Sequence, residues 1–243
     1  MTHSSAIEYA PSCEEILSQF EDVVAFRGGQ IQKPIISNDK MFLRAHNLDG
    51  LSGEVAKNDR FDGGMALRVS GPQVSVHLYT FREVCKNGMI MSESHDTKRM
   101  LRLPKDEFSS DSKYLCLSEL REMLFACATP EIFSQNMNVM RRLRNESVDT
   151  GLNIVAQLQQ DLGDFAADVL EMVLSELFKE EDMTLYGVAN AITAVARETS
   201  DPQTKWDLEE LGGGIGAKLF PLVDPDSSQS RISHEAYIDV ACA

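Results

Sequence analysis

The sequence predicts an α+β protein, with an antiparallel β-sheet in the N-terminal half and helices in the C-terminal half. Two runs in which apolar and polar residues alternate, Met65–Val69 and Val74–Leu78, flank a Gly-Pro break and predict a β-hairpin with one buried face. Further along, apolar residues recur at helical spacings of three and four. We therefore expect a β-rich part over residues 1–115 and a helical part over residues 116–243, joined in one compact unit.

The β-rich part is expected to open with a helix. Ser12 and Glu15 have capping-box spacing, and the helix that follows should end before Gly28. Short strands are expected at Ile35–Ile36 and Met41–Ala45, because these apolar runs are bounded by polar residues.

The helical part is expected to contain several amphipathic helices. They should run from a Ser118 cap to about Pro130, from Pro130 to Leu143, from Leu152 to Leu177, from a Thr184 cap to Arg197, and from Trp206 to a stop at Gly212. In the third helix the residues expected to be buried are Leu158, Leu162, Phe165, Val169 and Val173. The stretch Asp224–Ser230 has the composition of a linker.

Charge is unevenly distributed along the chain. The whole chain has 38 acidic and 23 basic residues, a formal net charge of −15. From Arg82 to Arg144 there are 11 bases and 9 acids, so this stretch alone is slightly positive. A protein this acidic repels nucleic acid and anionic membrane on average. The stretch from Arg82 to Arg144 is therefore the part of the chain that could bind a phosphate backbone.

The cysteines and the apolar runs indicate a reduced, cytoplasmic protein. The five cysteines, at positions 13, 85, 116, 127 and 242, form no CxxC pair, so neither a disulfide framework nor a structural zinc site is expected. The first twelve residues lack the pattern of a signal peptide. No apolar run reaches the length that crosses a bilayer, and no membrane or cofactor is expected as a partner.

Two short patterns could carry chemistry, but neither has the required spacing. Gly212–Lys218 has the ingredients of an anion-binding loop without the Walker spacing, and a helix C-cap explains it as well. His95 next to Asp96 could form a dyad with Cys85 or Ser94 as the nucleophile, although nothing brings these residues together. We expect no enzyme.

A strand end and the bases beyond it form the candidate nucleic-acid site. A strand from Phe81 to Cys85 should lead into an Asn87-Gly88 turn, a dipeptide that favours positive φ. Guanidinium and ammonium groups pair with phosphate oxygens, and aromatic rings stack on bases. The candidate residues are Arg82, Lys86, Lys98, Arg99, Arg102, Arg141, Arg142 and Arg144, with Tyr79 and Phe81 as stacking platforms and Lys105 nearby. The alternative is that Arg82 pairs with an acid at the sheet edge.

Two segments resemble an uncharacterised family of phage- and plasmid-like proteins, domain of unknown function nine-three-two. Arg82, Val84, Cys85 and Asn87 match a strand-and-turn signature of that family. The segment Thr184–Thr193 is similar to its helix motif, through Asn190 and Thr193. Asp62-Gly63 before the hairpin is similar to a short motif that often precedes the strand. The resemblance implies a mobile genetic element and no particular activity. Asn190 and Thr193 are expected to lock their helix onto the sheet.

Two functions from different classes remain open. The first is a mobile-element protein that handles nucleic acid, such as an oligomeric single-stranded DNA-binding or annealing protein. The second is a non-enzymatic anti-defence or regulatory factor, whose acidic helical face imitates a nucleic-acid backbone or docks on a basic host protein. That face would comprise Asp161, Asp164, Asp168, Glu171, Glu176, Glu180, Glu181 and Asp182. A monomer and a homo-oligomer are both compatible with the sequence.

Overall fold

The computed structural model has the expected α+β architecture. It describes residues 11–37, 40–91, 98–103, 110–148, 158–160, 162–163, 165 and 167–219. The strands are β1 Gln30–Ile31, β2 Ile35–Ser37, β3 Lys40–His46, β4 Ser52–Ala56, β5 Asp59–Ser70, β6 Gln73–Arg82, β7 Asn87–Met91 and β8 Lys98–Arg102. The helices are α1 Cys13–Phe26, α2 Ser110–Cys127, α3 Pro130–Asn145, α4 Ala167–Glu180, α5 Leu185–Glu198 and α6 Pro202–Leu219.

One antiparallel sheet contains all eight strands. Its central order is β1-β3-β5-β6-β7, with β2 also on β3, β4 on β5 and β8 on β6. The β5–β6 hairpin forms as expected, and its register places Val69 opposite Val74 around a turn at Gly71. Gly71 has φ +54°, which glycine adopts at little cost. The six apolar residues expected on the buried face, Met65, Leu67, Val69, Val74, Val76 and Leu78, are all buried.

Both faces of the sheet are covered, whereas alternation predicted only one. Met65, Leu67 and Val76 belong to a core that includes residues of α1, α2 and α3. The opposite face carries Ala66 and Tyr79, which are also buried, against Trp206 of α6. The single-face prediction was wrong because a helix from the far end of the chain lies on the second face.

The caps predicted at Ser12 and Thr184 are confirmed, and Thr129 forms a further cap that was not predicted. Ser12 and Glu15 form a complete capping box at α1. The Thr129 hydroxyl accepts from the Ile132 N–H at α3, and the Thr184 hydroxyl accepts from the Gly187 N–H at α5. Each side chain satisfies a backbone donor that would otherwise lack a partner in the first helical turn.

Three helix boundaries differ from the sequence prediction. Helix α2 begins at Ser110, not at a Ser118 cap. The helix expected over 152–177 is interrupted by a turn at Leu162 and Gly163, and only α4 continues from Ala167. Phe165 is half-buried there, while the other four apolar residues predicted to be buried are buried. Leu152, Val155 and the Asp224–Ser230 stretch lie outside the described residues.

The glycine-rich segment lies inside a helix rather than ending one. Helix α6 continues through Gly212 and Gly213 to Leu219. A Cβ on Gly212 would overlap the Thr193 side chain of α5, and a Cβ on Gly213 would overlap the Ile90 carbonyl oxygen of β7. The glycines therefore let α6 approach its neighbours closely, so the prediction of a helix stop at Gly212 was wrong.

The predicted turn at Asn87-Gly88 is also displaced. Residues 83–86 form the turn, and Lys86 takes the positive φ of +55°. Asn87 and Gly88 open β7 opposite Arg82 and Phe81. A Cβ on Gly88 would overlap the Tyr79 ring, so close packing explains this glycine better than turn geometry. None of the described helices is long and apolar enough to cross a membrane.

Gly213→Ala tests the close approach of α6 to β7. Alanine normally stabilises a helix interior relative to glycine by about 1 kcal/mol. Here the added methyl meets backbone, so we expect a net destabilisation of roughly 1–3 kcal/mol in denaturant unfolding. Ser175→Ala at an exposed position of α4 is the control and should be neutral or slightly stabilising. A Gly213→Ala protein as stable as the wild type would contradict this packing.

Candidate functional site

Arg82 ends β6 in a charged cluster with Asp59 and Tyr186. Its Nε and Nη2 donate to Asp59 Oδ1 and Oδ2 at 2.6 and 3.1 Å. The Tyr186 hydroxyl donates to Asp59 Oδ2 at 2.5 Å, and the Arg82 guanidinium lies 5.4 Å from the Tyr186 ring centroid. The sheet brings these residues together because Arg82 pairs with Phe61, two residues after Asp59. The Arg82 guanidinium is therefore hydrogen-bonded to a carboxylate of the protein itself.

Burial and charge set the protonation of this cluster. Burial raises the pKa of the Tyr186 hydroxyl, with a smaller opposing effect from Arg82, so the phenol stays neutral and can donate. Arg144 of α3 adds a second cation, with Nη1 3.9 Å from Asp59 Oδ2. The cluster therefore balances one buried carboxylate with one close and one more distant guanidinium.

The turn after β6 is anchored to α5. Arg82 Nη1 donates to Cys85 Sγ at 3.3 Å, and Arg197 donates to the Cys85 carbonyl oxygen and, at 3.3 Å, to Asn87 Oδ1. Asn87 Nδ2 donates to the Asn190 carbonyl oxygen at 3.4 Å. The two segments that carry the family resemblance thus meet in space.

The Asn190 and Thr193 side chains do not lock the helix onto the sheet as expected. Asn190 Nδ2 donates to the Tyr186 carbonyl oxygen at 2.9 Å, and Thr193 Oγ1 donates to the Ala189 carbonyl oxygen at 3.0 Å. Both bonds return to the preceding turn of their own helix. The connection to the sheet is made by Asn87 instead.

The bases of β8 lie away from Arg82. Lys98 pairs with His77 and Arg102 with Gln73, so β8 runs along the first half of β6 while Arg82 ends the second half. Lys98 Nζ lies 3.2 Å from Glu210 Oε1 on the α6 side of the sheet. Arg99 points to the opposite face because neighbouring strand residues alternate, and Arg102 is exposed.

The arginines of α3 also point in different directions. Arg141 donates to the Glu54 carbonyl oxygen at 3.1 and 2.7 Å and to Asn138 Oδ1 at 2.7 Å. Arg144 faces Asp59, whereas Arg142 is exposed. Lys86 is exposed in the turn, and Lys105 lies outside the described residues. Arg82 and Arg144 thus meet at Asp59, whereas the bases of β8 lie elsewhere, and the candidate bases do not line one track.

The two candidate stacking residues differ in access. Tyr79 is 2 % exposed, and its hydroxyl accepts from Gln32 Nε2 at 3.5 Å, so the expected stacking of Tyr79 on a base was wrong. Phe81 is half-buried, and its ring stacks on His46 with centroids 4.7 Å apart. Tyr79 is therefore closed to a base, and one face of the Phe81 ring is already occupied by His46.

A second charged cluster lies between the sheet and α6 and was not predicted. Arg44 Nε lies 2.6 Å from Glu209 Oε2, and both side chains are almost fully buried. Burial raises the pKa of the Glu209 carboxyl, and the charge of Arg44 opposes that effect. The Trp206 ring has the Arg44 guanidinium 5.2 Å and the Arg68 guanidinium 5.4 Å from its centroid. No sequence signal joins residues 165 positions apart.

Other acids of α6 are matched to bases of the sheet. Glu210 meets Lys98, and Asp207 Oδ1 lies 3.5 Å from Arg68 Nη1. His77 beneath Trp206 is neutral, because burial lowers its pKa to about 3. The bases of this region thus contact the protein's own acidic helix.

Helix α4 presents a different surface, with acids that lack such partners. We call Asp168, Glu171, Glu180 and Glu181 the acidic α4 surface; all four are exposed and none has an ion pair within the described residues. Two large apolar side chains stand beside them, Met172 at 41 % and Phe178 at 60 % exposure. The buried side of the helix is formed by Val169, Val173 and Leu177.

Some acids expected on this face are used otherwise. Glu176 lies 3.2 Å from Lys179, and Asp182 accepts from the Thr184 hydroxyl at 2.6 Å beside the α5 cap. Asp161 and Asp164 lie outside the described residues. Of the acids expected on this face, Asp168, Glu171, Glu180 and Glu181 are the ones that are exposed without an ion pair in the described residues.

The other candidate catalytic, metal-binding and anion-binding groups form no site within the described part of the chain. His95, Asp96 and Ser94 lie outside the described residues, so a dyad with Cys85 is not placed. Within the described ranges, no group of three His, Cys, Asp or Glu side chains converges as a metal site requires. The Gly212–Lys218 segment is helical and forms no loop.

Comparison with known proteins adds no relative. No family model, no curated protein and no solved structure matches this chain. The resemblance to the phage- and plasmid-like family remains a prediction that rests on the residues given above.

Arg82→Ala and Lys86→Ala form a matched pair of substitutions that tests the Asp59 cluster. On the sequence alone both changes should leave stability unchanged, because exposed charges contribute little. In the structure Arg82→Ala strips Asp59 of its close guanidinium, and we expect a loss of roughly 2–4 kcal/mol. Lys86→Ala should cost less than about 0.5 kcal/mol. Equal effects in urea unfolding would show that Arg82 is not paired as described.

Asp62→Asn tests a carboxyl group on β5 whose ionised form is disfavoured by its surroundings. Burial, and then the neighbouring Glu83, raises the pKa of Asp62 to about 6, although Arg60 and His46 oppose the shift. Because the pKa of Asp62 is higher in the folded than in the unfolded protein, the free energy of unfolding falls as the pH rises from 3.8 to about 6. It keeps this lower value at higher pH. Asparagine removes this ionisation, so Asp62→Asn should be more stable than the wild type at pH 8 by roughly 1–3 kcal/mol.

The difference should shrink towards zero below the unfolded pKa, because both side chains are then neutral. Thermal unfolding across pH measures it, with the exposed Asp22→Asn on α1 as the control. An Asp62→Asn protein less stable than the wild type at pH 8 would contradict the raised pKa of Asp62.

Proposed function

We propose that this protein is a non-enzymatic interaction protein that docks on a basic partner protein through the acidic α4 surface. The observation that carries the proposal is the composition of that surface, which combines four exposed carboxylates that form no ion pair in the described structure with the exposed Met172 and Phe178. Large exposed apolar side chains on a soluble helix are typical of protein interfaces. The formal charge of −15 favours a basic partner, because long-range attraction accelerates the encounter.

The arrangement of the bases supports the same proposal. Arg44, Arg68, Lys98 and Arg82 each meet a carboxylate of the protein itself. A nucleic-acid track would need such groups free and on one face. The four acids of the acidic α4 surface, in contrast, have no ion pair in the described structure and are available to an outside partner.

Nucleic-acid handling is the other candidate, and a test should include it. Its support is the exposure of Lys86, Arg102 and Arg142, which lie on separate elements. The family resemblance adds the expectation that the protein comes from a phage or plasmid and that its partner belongs to the host. That expectation is shared by both candidates and does not separate them.

Charge reversal on α4 is the decisive experiment. The probe is a fluorescent oligolysine peptide titrated over a salt series, with a labelled oligo-dT strand in parallel. The Asp168→Lys/Glu171→Lys/Glu180→Lys variant should bind oligolysine at least about tenfold more weakly than the wild type, because three attractive charges become repulsive. The wild type should not bind oligo-dT even at low salt.

The matched control is Glu14→Lys/Glu21→Lys/Asp22→Lys, which makes the same charge change on exposed positions of α1. It should lose far less affinity than the α4 variant. Equal losses would mean that oligolysine responds only to net charge, and the α4 proposal would fail. Binding of oligo-dT with a steep salt dependence would favour nucleic-acid handling instead.

A further inference from the structure

The outer side of α2 exposes apolar residues towards both ends of the helix. Tyr114 and Leu115, near its start, are 74 % and 63 % exposed. Near its end the half-buried Phe125 ring packs edge-to-face against Phe26 of α1, with centroids 5.6 Å apart, and Phe26 is itself 75 % exposed. Large apolar side chains that stay exposed on a folded domain are typical of protein interfaces. This side of α2 is therefore a candidate interface, separate from the acidic α4 surface.

The residues on this side of α2 are spaced symmetrically. At about 100° per residue, Tyr114, Ser118, Arg121 and Phe125 fall within an arc of about 60° around the helix. They are four, three and four residues apart, so this stripe has an aromatic residue at each end and the same spacing in both directions. A helix with such a stripe can pair with an antiparallel copy of itself, because each aromatic residue then lies opposite the other one. We call these four residues, with the adjoining Leu115 and Glu122, the outer α2 face.

The exposed charges of the outer α2 face are one of each sign. Arg121 and Glu122 are neighbours in the chain, both are exposed, and neither has an ion pair in the part of the chain that the structure describes. The Arg121 guanidinium lies 5.9 Å from the centroid of the Phe125 ring. Because the two charges cancel, the face does not attract a strongly basic protein or an anionic surface. A second copy of the same face offers both a matching apolar surface and the opposite charge at each position.

We propose that two copies of this chain associate through the outer α2 face, with their α2 helices antiparallel about a two-fold axis. The axis passes between Ser118 and Arg121, at the midpoint of the stripe. Tyr114 of each copy then lies opposite Phe125 of the other, so the contacts are reciprocal, as in an isologous interface. Arg121 lies within about one helical turn of Glu122 in the second copy, and two ion pairs form across the axis. This inference goes beyond the proposed function and uses no residue of the acidic α4 surface.

The charges also select the direction and the strength of the pairing. With parallel helices in register, Arg121 would face Arg121 and Glu122 would face Glu122, and like charges repel. The net charge of −15 opposes association at long range, and about 0.15 M salt screens that repulsion beyond about 8 Å. One helix and one flanking aromatic residue from each copy make a small interface. We therefore expect a reversible dimer with a Kd on the order of 10–100 µM at that salt concentration.

Sedimentation equilibrium of the full chain at about 0.15 M salt tests the inference. The wild type should follow a monomer–dimer equilibrium as its concentration rises from about 5 to about 500 µM. Phe26→Ser/Tyr114→Ser should raise the Kd at least about tenfold, because the second copy covers both exposed aromatic rings. Wild-type protein that stays monomeric over the whole range would overturn the inference.

The matched control is Ile36→Ser/Val84→Ser. These two apolar side chains are 57 % and 63 % exposed, but they lie on β2 and in the turn after β6. The control variant should keep the wild-type Kd. An equal loss of association in the control would show that exposed apolar side chains associate without selection, and the inference would fall.

Two single charge reversals test the antiparallel arrangement. Positions 121 and 122 are both acidic in Arg121→Glu and both basic in Glu122→Arg, so each variant should associate with itself at least about tenfold more weakly than the wild type. An equimolar mixture of the two variants should associate again, because acidic positions then face basic ones. Both variants remain strongly acidic overall, so attraction between them must come from these positions. A mixture that associates no better than its components would overturn the inference.

Discussion

The Arg44–Glu209 ion pair between the sheet and α6 is the interaction on which the architecture depends. Both side chains are buried, so each charge needs the other to offset its loss of hydration. Trp206 lies beside the pair, between two guanidiniums. The pair holds α6 over a sheet face that would otherwise be open to water. Gly213 then permits the approach to β7 that brings these groups within reach.

The covering of the second face pairs bases of the sheet with acids of α6, and other bases pair elsewhere in the fold. Arg68 and Lys98 point at acids of α6, and Arg82 points at Asp59. Their charges neutralise carboxylates inside the fold instead of forming an external track. Within the basic stretch, Arg82, Lys98, Lys113 and Arg144 form ion pairs with acids of the protein in the described structure, so part of its charge is matched internally. The excess acid is left on other surfaces, and the acidic α4 surface is one of them.

The segments that resemble a mobile-element family have a clear structural role. Arg82, Asn87 and Tyr186 join β5, β6, β7 and α5 through a set of hydrogen bonds. Such a set requires particular side chains at particular positions, since an unpaired partner would be left buried. The residues of this site are therefore accounted for by folding. The surface that we assign to binding lies elsewhere, on α4.

The sequence by itself determined the α+β class, the β5–β6 hairpin, the caps of α1 and α5, and the start of α3 at Pro130. These features depend on residues only a few positions apart, such as the Ser12–Glu15 capping box. Only the tertiary structure decided which face of the sheet α6 covers, which bases are paired, and that Gly212 and Gly213 lie within a helix. Arg44 and Glu209 are 165 residues apart, and local pattern carries no information about which distant charges will meet. The acids of the acidic α4 surface could be identified in the sequence, but their lack of ion pairs could not, because a charge is known to be unpaired only when its neighbours in space are known.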